Sequence, residues 1–237
     1  MTQKHRQRIS IRGGFISLIE YIFPPRCVFC NSLLMVGTPI YICGKCSEKF
    51  KYYNNSINYL NLPGDIETYC DGMVCVGQYT AYLKNSLKRF KFSNKPSYYR
   101  AFGKILALKI KNTIDFNQID MIIPVPLHKS RQRQRGYNQA ELIGKYVSML
   151  LGIPLEVNNL IKISESKSQS VLSRNERLTN VEGLFRVSSI DKMRNKRILI
   201  IDDIITTGST VNECSKALKQ AGAVSVIAVA IATTRGC

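Results

Sequence analysis

An α/β domain with a mainly parallel sheet, preceded by a small four-cysteine zinc ribbon, is the architecture this sequence predicts. Three observations predict it. From about Gly72 onward, apolar runs alternate with amphipathic helical patterns, the order in which parallel sheets are assembled. Upstream, Cys27/Cys30 and Cys43/Cys46 form two C-x-x-C pairs. Late in the chain, the apolar run Ile198–Ile201 leads into Asp202-Asp203 and then into the small-residue loop Thr206-Thr207-Gly208-Ser209-Thr210.

The elements of the second region follow in order. Met73–Tyr79 reads as a strand. Thr80 to about Phe92 reads as a helix, with Leu83, Leu87 and Phe90 on one face and Lys84, Lys88 and Lys91 on another. Tyr98 to about Asn112 is a second helix, carrying Arg100 and Lys104 outward. Asp120–Val125 is a strand, and Asn138–Leu151 a helix opened by Asn138 with Glu141 as a capping box. Arg197–Ile201 is a strand, Val211–Ala221 a helix closed by Gly222, and Val224–Ala232 the final strand. Three domains are expected: a basic amphipathic helix over 1–23, a ribbon over 24–72 and the α/β domain over 73–237.

Composition narrows the partners. Hydrophobic residues make up 45% of the 237, enough to fill a core. Against 16 Asp+Glu stand 34 Lys+Arg, a net charge of +18. A field of that sign attracts nucleic acid, anionic membrane or phosphate-rich metabolites, and also serves plain solubility. The N-terminal basic residues precede the apolar run Phe15–Phe23, as in a signal peptide. Glu20 interrupts that run, however, and Pro24, Pro25 and Arg26 follow in place of a small-residue cleavage site. No apolar run approaches the ~20 residues of a membrane span. Stable membrane insertion is therefore not expected, and the expected location is the cytoplasm, where thiols stay reduced.

Each C-x-x-C pair brings two thiolates to one ion from a tight knuckle, and two knuckles complete a tetrahedron. Cys27, Cys30, Cys43 and Cys46 are thus the expected ligands of a structural zinc, with Gly44 serving a tight turn. Cys70 and Cys75 read as buried apolar thiols, and Cys214 falls on the apolar face of its helix.

The segment 198–210 carries the most chemistry. A buried strand delivers Asp202 and Asp203 to its carboxyl end, where open α/β sheets bind ligands. The backbone N–H groups and hydroxyls of Thr206–Thr210 suit a phosphate at a helix N-terminus. Thr210 with Glu213 also has the spacing of a capping box. No Lys follows a glycine loop and no G-x-G-x-x-G is present, so a nucleotide P-loop and a dinucleotide fingerprint are excluded. Adjacent carboxylates beside a monophosphate cradle suit a sugar phosphate.

That loop resembles the phosphoribosyl-pyrophosphate loop of type I phosphoribosyltransferases. The chain as a whole resembles the ComF family of bacterial competence proteins. The ribbon Cys27–Cys46, Lys91-Phe92, Pro124-Val125-Pro126, Arg135-Gly136-Tyr137-Asn138-Gln139, the stretch from Gln169 to Phe185 and Asp202–Thr210 appear in the family's order. The resemblance implies a type I phosphoribosyltransferase-like sheet, with Asp202 and Asp203 facing ribose and magnesium and Thr206 to Thr210 holding the 5′-phosphate. It places the basic run Lys129, Arg131, Arg133 and Arg135 near the pyrophosphate, and makes residues 164–180 a closing loop. Where family members often carry Arg, this chain has Lys162 and Ser164.

Three functions stay open at this point. One is a cytosolic DNA-uptake protein that binds phosphoribosyl pyrophosphate and single-stranded DNA, beside a competence DNA helicase and recombination proteins. Another is an active phosphoribosyltransferase whose acceptor base the sequence does not show. The third is a sensor of phosphoribosyl pyrophosphate. The expected DNA face is Lys84, Lys88 and Lys91 on one helix with Arg100 and Lys104 on the next, a different segment of chain from Asp202 and Asp203; whether the two ligands share a pocket stays open.

Overall fold

The computed structural model of the chain describes residues 24–38, 40–62, 66–92, 96–164 and 183–235. The helix expected over 1–23, and the closing loop apart from Ser164, lie outside them. The chain forms two compact units, Met1–Lys49 and Phe50–Cys237.

In the first unit, turns do what a core does elsewhere. The Cys27 N–H donates to the Ser32 carbonyl and the Asn31 N–H to the Cys27 carbonyl, both at 2.8 Å. Asn31 leaves this knuckle at φ 65°, a left-handed position that Asn tolerates better than most residues. The second pair opens helix α1 (Gly44–Lys49), where the Cys46 and Ser47 N–H groups both donate to the Cys43 carbonyl. Gly44 lies inside this tight turn, as expected, but the turn does not require glycine: its φ is not positive, and open space lies where its Cβ would stand.

In the second unit, β1 (Gly72–Gln78), β2 (Met121–Pro124), β5 (Arg197–Ile205) and β6 (Ser225–Thr233) form one sheet in the order β1-β6-β5-β2. All three pairings are parallel, and Ile201 stands level with both Pro124 and Val229. The central strands read as near-continuous apolar runs because both sheet faces are covered. Helices α3 (Tyr99–Thr113) and α5 (Gln139–Leu151) cover one face. They close on each other at Gly103, where an added Cβ would stand 2.9 Å from the Tyr146 ring. Helix α6 (Ser209–Gln220) covers the other face, and its Val211, Cys214 and Leu218 join Ile198, Ile200 and Ala228 in one core.

Helix α2 (Ala81–Phe92) follows β1, and helix α4 (Lys129–Arg135) follows β2. Strands β3 (Leu160–Lys162) and β4 (Phe185–Val187) form a separate antiparallel pair. Residues 50–62, grouped with the ribbon in the sequence reading, pack with the second unit. Tyr52 and Asn58 bridge to Gly77 and Met73 of β1, and the Tyr53 N–H donates to the Val76 carbonyl at 3.0 Å. Among the described residues, no helix is long and apolar enough to cross a membrane.

Candidate metal centre and phosphate cleft

The thiols of Cys27, Cys30, Cys43 and Cys46 lie within 4.8 Å of one another. Cys30 Sγ and Cys43 Sγ are 3.7 Å apart, which matches the edge of a tetrahedron with metal–sulfur bonds of about 2.3 Å. The Cys43 N–H points at Cys27 Sγ from 3.4 Å, the orientation expected toward a thiolate. The hydroxyl and N–H of Ser32 lower the Cys30 thiol to about 6. This cluster can hold a metal ion, and four thiolates leave no position open for water. Cys70 and Cys75 stand outside it, buried, and burial pushes the Cys70 thiol up.

The carboxyl ends of all four parallel strands open on one cleft of about 1370 Å³. Its floor is the end of β5. The Asp203 N–H donates to Asp202 Oδ1 at 2.7 Å, so the two carboxyls are held side by side. Asp203 is 6% exposed, and its Oδ2 is met by Lys91 Nζ of α2 at 2.6 Å. Asp202 is partly buried and lines the cleft. Its carboxyl lies well above the usual range, first through burial and then through the neighbouring Asp203 charge, with Lys91 opposing.

Beyond the acids, the loop turns on Gly208 into α6. Gly208 has φ 85°, and a Cβ there would fall 2.3 Å from Leu60 Cδ1, so any other residue is strained and must push Leu60 aside. Gly208 is also the N-cap of α6. Thr210 is therefore not the cap expected from its spacing with Glu213; Glu213 instead accepts from the Gly183 N–H. Thr206, Thr207, Gly208 and Thr210 line the cleft. Ser209 does not line it, being buried, with its hydroxyl 2.8 Å from that of Thr207. Arg235 straps the loop by donating to the carbonyls of Thr207 and Asn61.

The basic run after β2 is helical, and the helix sorts it. Arg131 and Arg135, four apart, share the face that lines the cleft. Lys129 and Arg133 share the other face, so Lys129 does not reach the site expected for it. Burial pulls the Arg135 guanidinium below its ordinary value, while Asp203 opposes. Asn138 caps α5 by accepting from the Ala140 N–H at 3.0 Å, and its Nδ2 ties the cap to the Val125 carbonyl. Glu141 does not complete a capping box; it pairs with Lys145 at 2.6 Å. Next to the cap, Gln139 is 2% exposed and its Nε2 has no hydrogen-bond partner among the described residues.

The expected DNA face divides. Lys84, Lys88 and Lys91 line the same cleft as Asp202 and Asp203. Arg100 and Lys104 on α3 do not line it. Sequence reasoning gave no role to Tyr59, Tyr79, Gln139 and Arg235, which do. Gln139 lies within the quoted Arg135–Gln139 motif; for Arg235 no local pattern offers a signal.

A parallel sheet with paired acids and a hydroxyl-rich loop at its carboxyl edge defines a phosphoribosyltransferase-like protein, and the family model "phosphoribosyl transferase domain" matches residues 138–237. Competence protein F of Haemophilus influenzae is 36% identical over 186 residues, covering 76% of this chain and 79% of that protein. Competence protein ComFC of Streptococcus pneumoniae is 27% identical over 214 residues, covering 84% of this chain and 90% of that one. DNA utilization protein YhgH of Escherichia coli K12 is 29% identical over 157 residues, covering 65% and 68%. The chain belongs to the competence protein F family.

Proposed function

We propose that this protein acts in the cytoplasm in DNA uptake, holding phosphoribosyl pyrophosphate with magnesium in the β5 cleft and gripping single-stranded DNA through its cationic residues. We propose further that the four-cysteine cluster holds a structural zinc. The observation that carries the reading is the shared cleft. Paired acids suited to ribose hydroxyls and magnesium stand beside a phosphate-sized loop, between the cationic walls of α2 and α4. Two of the three relatives are named for competence and the third for DNA utilization. In this reading Asp202 and Asp203 take the ribose and its metal, the Thr206–Thr210 loop takes the 5′-phosphate, and Arg135 with Gln139 faces the pyrophosphate. Magnesium supplies charge neutralisation of the diphosphate.

A thermal melt tests it. A ligand present at a hundredfold its Kd adds about 2.7 kcal/mol, a rise of roughly 5–11 °C for a unit of this size. The rise is expected with phosphoribosyl pyrophosphate and magnesium together. Asp202→Ala combined with Asp203→Ala should abolish it; a full rise in that variant places the ligand elsewhere.

A second reading, transfer of the ribose 5-phosphate to an acceptor, is favoured by Tyr59 and Tyr79, whose rings line the cleft and offer faces for a planar base. Pyrophosphate release across a panel of bases decides it.

A further inference from the structure

We propose that the sugar-phosphate site and the DNA-binding surface are a single cleft, so that a magnesium-bound sugar diphosphate and single-stranded DNA weaken each other's binding. This rests on the proposed function and adds a regulatory coupling to it.

Three observations carry it. The first is placement: Lys84, Lys88 and Lys91 follow a helical repeat on α2, and all three line the cleft that holds the acids. Lys84 and Lys88 are exposed, and no described carboxylate pairs with them. A row of ammonium groups at this spacing suits successive phosphates of a strand, and the exposed Tyr59 ring at the same cleft suits a base.

The second is size. The cleft measures about 1370 Å³, above the ~300–1,000 Å³ usual for a small-molecule site. A sugar diphosphate leaves part of it unfilled.

The third is Lys91. Its Nζ sits 2.6 Å from Asp203 Oδ2, on the carboxylate that ribose or magnesium would need. A sugar diphosphate that takes Asp203 must displace Lys91 and leave it facing the diphosphate. A strand phosphate in the same cleft also takes Lys91, and one ammonium cannot neutralise both anions. Two polyanions therefore draw on one set of cations, and the coupling is negative. Because coupling of binding free energies is reciprocal, DNA must also weaken the sugar diphosphate.

The experiment is fluorescence anisotropy with a labelled oligothymidine carrying no 5′-phosphate. It is titrated with the full-length protein at low salt, with and without phosphoribosyl pyrophosphate and magnesium. Sugar-diphosphate binding is followed by melting under the same conditions. The expected result is an oligonucleotide Kd raised about tenfold, within the usual span of couplings. Lys84→Ala with Lys88→Ala should weaken the oligonucleotide and flatten its log–log salt dependence by about 0.7 per lost contact. If the melt reports the sugar diphosphate bound while the oligonucleotide Kd is unchanged or lower, the shared cleft is wrong and the proposed function survives. The same holds if the double variant binds DNA as tightly as the parent. If no oligonucleotide binds even at low salt, the DNA reading itself fails and the coupling fails with it.

Discussion

The ribbon and the α/β unit hold their chains in order by different means. Among the described residues of 24–49 the buried apolar side chains are few, Pro25, Val28 and Phe29 beside Cys27 and Cys46, and the four thiols converge. In the α/β unit, order is spread over the whole of Ile198–Ile201, most of β1 and β6 and the inward faces of three covering helices, whose core side chains are at or near zero exposure. A segment this short has little core to fold on, and under the proposed zinc reading the free energy of metal binding becomes its folding free energy. The difference teaches that loss of one side chain should be all-or-none in the ribbon and graded in the α/β unit.

Cys43→Ser tests the first half and should have the largest effect. Structural zinc in small peptides binds with about 10–16 kcal/mol. Metal per chain, measured by elemental analysis on protein purified without chelator, should fall from one to near zero. Limited proteolysis should open residues 24–49 while the main melting transition stays in place. Zinc still bound at one per chain would break the comparison.

Gly208→Ala is the reciprocal. A left-handed φ for alanine costs roughly 1–2 kcal/mol, and the overlap with Leu60 adds about 1–3 kcal/mol. The melting transition of the α/β unit should drop by roughly 5–20 °C, with zinc content unchanged and the rise induced by sugar diphosphate lost. An unchanged melt would show that Leu60 moves aside and that the loop is not held by close packing.

Asp202→Asn should have the smallest effect, visible as a slope. The folded carboxyl is raised above its ordinary value of 3.8, to about 8. The folded state therefore holds a proton that the unfolded chain has released, and this costs stability as pH rises through that window. In magnesium-free buffer with chelator, the variant should match the parent at the acid end and melt higher toward pH 8. Parallel melting curves for both proteins would mean that Asp202 is ionised throughout, with the water of the cleft reaching it freely.

Strong local patterns made much of this legible. The β5 run, the α6 face with Cys214 and the β6 run all carry their period in sequence, and the acid pair with its glycine-bearing loop marks the phosphate end. Strands β3 and β4, three residues each, are too short to display a period. Helix α4, Lys-Ser-Arg-Gln-Arg-Gln-Arg, has no apolar stripe and so reads as a basic loop; only its helical geometry separates Arg131 and Arg135 from Lys129. The lysine row of α2 was visible as a face, but nothing in a helical pattern says what that face confronts. The bonds from Arg235 to Asn61 and Thr207 join distant stretches of chain, and no short-range pattern reports such contacts.

The position of β1 has a consequence for how the protein is made. It is the outer strand of the four-stranded sheet, bridged on its outer side by Tyr52 and Asn58, and its strand partner β6 is formed by the much later residues Ser225–Thr233. A ribosome releases β1, almost wholly apolar, long before its partner exists. At roughly 5–20 residues per second, the nascent chain carries β1 with its β6 side unpaired through most of the synthesis of this unit, covered on the other side only by the bridges to Tyr52 and Asn58. The ribbon, whose ligands are all close in sequence, has no such wait. Trigger-type chaperones that shelter apolar nascent segments should therefore matter for the yield of the α/β unit, and a premature stop codon before β6 should strand β1 without its neighbour.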